Sequence, residues 1–183
     1  MNRTGPDYIK LKASLELAIN HLEILRLKKL KQNERLISET VICIKNSKYI
    51  LARLRIRKIL KDDAVAKVAE LIEMHCRDTL LKYKLFQENR KPDECIITPI
   101  SSLIWITPYY RAHVKELKVI LFQLAYKYGV RFCIKILRNE FGTVDLELIH
   151  RVKMFSISND QIENYLQSIC VRHRLTFNSN ENN

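Results

Sequence analysis

The side chains of this sequence that could act as nucleophile, base or metal ligand are few, and the nearest thing to a catalytic pairing is His75 beside Cys76. A Cys-His couple needs the imidazole within hydrogen-bond reach of the thiol. Adjacent residues on a helix point about 100° apart, so these two do not face each other. Cys76 also falls in an apolar seam with Val65, Ala69, Ile72, Leu80 and Tyr83, where a thiol is ordinary packing. His21, His113, His150 and His173 show no ligand spacing. Cys43, Cys76, Cys95, Cys133 and Cys170 form no CxxC pair and are odd in number, which fits a reducing, cytosolic compartment better than a disulfide framework. No GxSxG, GxxxxGK[ST] or HExxH motif occurs. The expectation is a protein without catalytic site, metal, cofactor or small-molecule substrate.

The chemistry that remains is charge. The chain carries a formal +12, and residues 1–61 hold 15 of its 32 Lys and Arg. A field of that sign recruits nucleic acid, an anionic membrane leaflet or an acidic protein. Lys28, Lys31 and Arg35 share one helical side, and Arg53, Arg57 and Lys61 recur at i, i+4 and i+8. These six form the predicted basic surface for a membrane or partner; the bland reading is a solvated face that keeps the protein soluble. A basic helical module binding nucleic acid or acidic partners is the rival reading. Only Tyr8 and Tyr49 offer stacking in that region, and no RNP, KH or zinc-finger signature occurs, so nucleic acid is disfavoured.

The elements that must position these residues are helices, because only 3 Gly and 4 Pro punctuate 183 residues. Leu11, Leu15, Ala18, Leu22 and Leu25 alternate by four and three within a Gly- and Pro-free run over residues 8–45. A second run, 49–89, follows the polar break Asn46-Ser47-Lys48. Two helices of about 40 residues, each about 60 Å long, then pair as an antiparallel hairpin. Thr98-Pro99 and Thr107-Pro108 read as two helix starts, the first covering 100–106. The second continues through Val114, Leu117, Leu121 and Leu124 and bends near Gly129 towards Asn139, after which Gly142 marks a stop. Residues 145–152 are a short helical candidate. Ser158-Asn159-Asp160-Gln161 has capping-box spacing ahead of a final amphipathic helix. One domain over 8–175 is expected, between a disordered 1–7 and a disordered polar tail, 176–183. No stretch of about 18 apolar residues could span a bilayer.

Several segments, taken in order, carry a resemblance to a known family. They are Leu17-Ala18-Ile19-Asn20-His21-Leu22, Ala52-Arg53-Leu54-Arg55-Ile56, Asp62-Asp63, Glu70-Leu71-Ile72-Glu73 and Ser102-Leu103-Ile104-Trp105-Ile106-Thr107-Pro108. Val114-Lys115-Glu116-Leu117-Lys118, Gly142-Thr143-Val144-Asp145 and Ile162-Glu163-Asn164-Tyr165-Leu166 continue the series. Together they resemble the increased sodium tolerance (Ist-one) family of ESCRT-III-like proteins, over residues 8–172. The resemblance implies an all-α, ESCRT-III-like elongated helical bundle: a long antiparallel hairpin with shorter C-terminal helices packed against it. It also implies closure of the last helix on the hairpin end, through Ile162, Tyr165, Leu166 and Ile169.

Functionally, the resemblance implies an assembly factor that binds charged multivesicular body (ESCRT-III) proteins. Such a factor co-assembles with them on membranes and modulates an AAA vacuolar-sorting ATPase in endosomal sorting, scission and cytokinesis. Its place would be the cytoplasm, peripherally on endosomes, as a homo- or hetero-polymer. Two departures stand out: Arg57 replaces a usual Glu, and Asp145 a usual Asn. Family members commonly carry a Pro-rich tail with motifs for the ATPase's MIT domain. The residues up to Asn183 hold none, so contact with the ATPase is expected to be indirect.

Overall fold

A computed structural model of the chain describes residues 5–153 and 156–176, and among these it contains eight helices and no strand. They are α1 (Tyr8–Lys45), α2 (Tyr49–Leu81), α3 (Tyr83–Glu88), α4 (Glu94–Tyr110), α5 (Glu116–Tyr128), α6 (Val130–Leu137), α7 (Leu146–Lys153) and α8 (Asn159–His173). Asp7 caps α1 by accepting from the Lys10 amide at 2.9 Å, and its own amide donates to Gln123 Oε1 at 2.8 Å. Of the segment expected to be disordered, 1–7, Asp7 is therefore held in place. Residues 1–4 and the tail 177–183 lie outside the described residues.

With so little glycine, helix ends are closed by other residues in the left-handed conformation. Ser47 (φ 54°), Asn139 (φ 53°) and Arg174 (φ 52°) end α1, α6 and α8. Each end carries the long return bond of a Schellman turn: Lys48 to the Cys43 carbonyl, Glu140 to Lys135 and Leu175 to Cys170, at 2.9, 3.0 and 2.9 Å. The helix expected to run towards Asn139 thus ends at Leu137, and Asn139, not Gly142, closes it.

Two other expectations are corrected. The run 49–89 is interrupted at Lys82 (φ −102°, ψ 24°), which separates α2 from α3. Thr98 and Thr107 are not helix starts, since Pro99 and Pro108 both lie inside α4. Asp93 is the true cap, accepting from the Cys95 amide at 2.9 Å. An interior proline strands the carbonyl four residues back. Lys82 resolves this at Pro99 by donating to the Cys95 carbonyl at 2.7 Å. The helix predicted to run on from Pro108 instead begins at Glu116. It breaks at Gly129, whose φ of 92° lies in the region glycine favours.

The chain forms two compact units. The first comprises the residues to Arg26 with Val68–Lys153, and the second comprises Leu27–Lys67 with the residues after 153. In the first, α4 is the central helix: Ile96, Ile100, Leu103, Ile104, Trp105 and Ile106 are all buried. Its two innermost hydroxyls meet the turn before α7. Ser101 Oγ lies 2.8 Å from Thr143 Oγ1, and Ser102 Oγ accepts from the Asp145 amide at 3.0 Å. Lys127 holds the start of α1, its Nζ 5.1 Å from the Tyr8 ring and 4.7 Å from Phe86.

In the second unit α1 and α2 run antiparallel, as shown by Lys29 with Asp62, Asn33 with Ile59 and Asp63, and Arg55 with Glu39. The α8 helix packs its Ile162, Leu166, Ile169 and Cys170 with Cys43, Ile44, Ala52 and Ile56 in one buried cluster, and Tyr165 lies against it.

Candidate partner-binding groove

His75 and Cys76 sit in packed, buried surroundings. Cys76 is fully buried, and burial pushes its thiol up to about 12, far from the reactive range. His75 is buried too, with Nε2 2.9 Å from Asp145 Oδ2; Nδ1 has no hydrogen-bond partner among the described residues. Asp145 Oδ1 accepts from the Glu147 amide at 2.8 Å, so one carboxylate caps α7 and orients the imidazole. This assigns the His75 proton to Nε2. Among the described residues no group of three or more His, Cys, Asp or Glu could hold a metal ion.

Burial holds His75 below its ordinary value, outweighing the nearby Asp145 carboxylate. The sign follows directly: the unfolded chain takes up this proton near pH 6.5, and the folded chain only at lower pH. Stability contributed by neutral His75 is thus full above about pH 6.5 and declines as the pH falls below it. The imidazole NMR resonances assigned to His75, by their loss in His75→Gln, should titrate with a midpoint below the ordinary value of about 6.5.

The candidate site lies in the second unit, along α2 and α8. Its position is fixed by the ends of α8. Ser158 accepts from the Gln161 amide at 3.2 Å and Gln161 Oε1 from the Ser158 amide at 3.0 Å, which is the predicted capping box. Ile162, Leu166 and Ile169 then bury on one side, and Asn159 and Glu163 turn towards α2. Arg53 Nε donates to Glu163 Oε1 at 2.5 Å and its Nη2 to Oε2 at 3.3 Å, while Arg57 Nη2 donates to Asn159 Oδ1 at 3.3 Å. A groove of about 690 Å³ runs here, lined by Ile50, Arg53, Leu54, Arg57, Asn159, Ile162 and Glu163.

Of the six basic residues named from sequence, Arg53 and Arg57 come together on this groove. Lys28, Lys31 and Arg35 are exposed on α1, and Lys61 is exposed on α2. Arg53 is half-buried in its pair with Glu163. Tyr165, Ile162, Leu166 and Ile169 all lie in or against the buried cluster behind the groove.

Sequence reasoning did not single out Ile50 and Leu54 as site residues. They are 71% and 58% exposed, although both are large and apolar. Their signal was present: at i and i+4 they fall opposite the buried Ala52, Ile56 and Ile59, on a face a solvated helix would give to polar groups.

Among the described residues the second unit is all-helical, with an apolar groove edged by Arg53 and Arg57. Residues 12–176 match the Ist1 family, described as "Regulator of Vps4 activity in the MVB pathway". The fold is similar to that in the crystal structure of the S. cerevisiae Ist1 N-terminal domain in complex with the Did2 MIM motif. The TM-score is 0.83 at 21% identity, covering 97% of this chain and 98% of that one. The chain belongs to the Ist1 family, and its helical fold is that of an ESCRT-III-like regulator. Among the described residues no helix is long and apolar enough to cross a membrane.

Proposed function

We propose that this chain is an ESCRT-III-associated assembly factor that receives a helical segment of a charged multivesicular body protein in the groove between α2 and α8. The groove is the observation that carries this reading. Ile50, Leu54 and Ile162 give it an apolar floor and wall, Arg53 and Arg57 edge it with guanidinium groups, and its form suits an amphipathic helix laid lengthwise. The complex formed by the fold relative with the Did2 MIM motif supports the same class of ligand. Lys28, Lys31, Arg35 and Lys61 remain for an anionic surface, on which the factor co-assembles as a polymer with its partners. It acts peripherally on endosomes from the cytoplasm and modulates the AAA ATPase through those partners, in protein sorting, scission and cytokinesis.

Fluorescence anisotropy with a labelled C-terminal helix of a charged multivesicular body protein tests the groove. Leu54→Asp should weaken binding at least tenfold, about 1.4 kcal/mol, since it places a carboxylate on the apolar floor. Lys31→Glu, on α1, should leave the affinity of the peptide within about twofold. Equal affinity of Leu54→Asp and the parent chain would remove the groove as the binding site.

A further inference from the structure

In the first unit, α5 and α6 pack on α4 and on each other. The α5 helix buries Leu117, Ile120 and Leu124, and α6 buries Cys133 and Ile136. A helix with one side in a core ordinarily gives its other side to charged groups. Here the outer positions of α5 are Phe122 and Tyr126, and on α6 Val130, Ile134 and Leu137 form an apolar flank between the buried Cys133 and Ile136 and the cations, each more than a third exposed. Tyr126 and Val130 are the most exposed of them, at 65% and 64%.

Cations border this apolar face. Arg131 and Lys135 on α6 and Arg138 at its C-cap recur at i, i+4 and i+7, about 100° round from Val130, Ile134 and Leu137. Lys118 lies one turn before Phe122, with its Nζ 5.9 Å from the ring. The carboxylates of this stretch are both engaged: Glu116 is buried 3.0 Å from His21 Nδ1, and Glu140 lies 3.5 Å from Arg138. Aromatic and aliphatic groups at helical spacing, edged by Lys and Arg, are the composition of a helix that lies in a lipid interface.

We propose that the outer face of α5 and α6 is a membrane-contact surface, which enters the headgroup and acyl boundary of an anionic bilayer with Lys118, Arg131 and Lys135 on lipid phosphates. It rests on the membrane-associated role proposed above, but assigns insertion to the first unit rather than to the basic residues of the second. An anionic bilayer suits the face better than an acidic protein helix does. The apolar side chains are exposed, and a yielding interface takes up such groups to a depth of about 5–10 Å. Long cationic side chains beside them reach back to the phosphates.

The full chain is floated with vesicles of phosphatidylcholine alone and of phosphatidylcholine with phosphatidylserine. A parallel set carries brominated acyl chains, with Val130→Trp as reporter beside the buried Trp105. Expected are flotation with the anionic vesicles only, quenching of Val130→Trp beyond that of the parent, and an at least tenfold loss of binding in Val130→Asp and in Arg131→Glu/Lys135→Glu. Circular dichroism of the variants should be unchanged. Undiminished flotation of the variants with an unquenched Val130→Trp overturns this inference alone. Absence of flotation in the parent chain overturns it together with the membrane part of the proposed function. If the variants float normally but lose a purified charged multivesicular body protein, the face is a protein interface and the inference fails.

Discussion

Replacing Leu166 with Asp should release α8 from the second unit. Leu166 is fully buried among Ile44, Ala52, Ile56, Ile162 and Ile169. Truncation to Ala already costs about 3 kcal/mol, from lost transfer energy and the cavity left behind. Asp adds a carboxylate with no partner in an apolar cluster, and detaching the helix costs less than burying that charge. The expected result is loss of amide-exchange protection over residues 159–173 and new protease cleavage after Arg172 and Arg174, with the first unit unchanged. Tyr165→Asp, at the edge of the same cluster, should do so more weakly, and an unchanged protease pattern there would count against closure by this contact. Because Asn159, Ile162 and Glu163 form one wall of the groove, Leu166→Asp should also lose the peptide. Leu54→Asp should lose the peptide with protection intact, which separates a broken wall from a broken contact.

The second large effect is expected at Asp62. Its side chain is 1% exposed and lies 2.7 Å from Lys29 Nζ and 2.9 Å from Lys58 Nζ. Asn33 reaches across beside it, donating to Asp63 Oδ1 at 2.7 Å and to the Ile59 carbonyl at 3.3 Å. Both lysines pair with Oδ1, while Asp62 Oδ2 and Asn33 Oδ1 have no hydrogen-bond partner among the described residues; sliding either helix would strand the charges as well, which favours this register. Asp62→Ala leaves two ammonium groups facing each other and should cost about 3 kcal/mol in urea unfolding. Asp62→Leu should cost less if Lys29 and Lys58 can extend to water.

The acid dependence separates Asp62 from its neighbour. Burial acts to raise the Asp62 carboxyl, but Lys29 and Lys58 outweigh it and hold the group below its ordinary value. A depressed carboxylate contributes stability that is full above the unfolded value, near 3.9, and is lost as pH falls through the folded one. Asp63 is pushed up, chiefly by burial, so its ionisation opposes folding and its protonation does not. Acid unfolding below about pH 4 should therefore become shallower in Asp62→Asn, and not in Asp63→Asn.

Much of this protein was legible in its residues. The span of α1 followed from a Gly- and Pro-free run with alternating apolar steps, since both breakers act locally. The capping box at Ser158 and the packing of Cys76 were also local in origin. The two Thr-Pro pairs misled because proline at N1 and proline inside a helix look alike in sequence. Asp93 and the distant Lys82, which satisfies the Cys95 carbonyl, decide between them. The break at Lys82 and the stop at Asn139 likewise carried no glycine to mark them.

The sequence by itself determined an all-helical protein of this family, its basic first third and the apolar sides of its helices, because these depend on composition and on a period of about 3.6 residues. It named Arg53 and Arg57 but not their setting. The tertiary structure alone decided that Arg53 pairs with Glu163, 110 residues away, and that Ile50 and Leu54 floor a groove. It also decided that Phe122, Tyr126 and Val130 stay in solvent while Leu117 and Leu124 are covered. A helical face is apolar in sequence whether or not anything covers it, and only the packing of the neighbouring helices shows which faces are left for a partner.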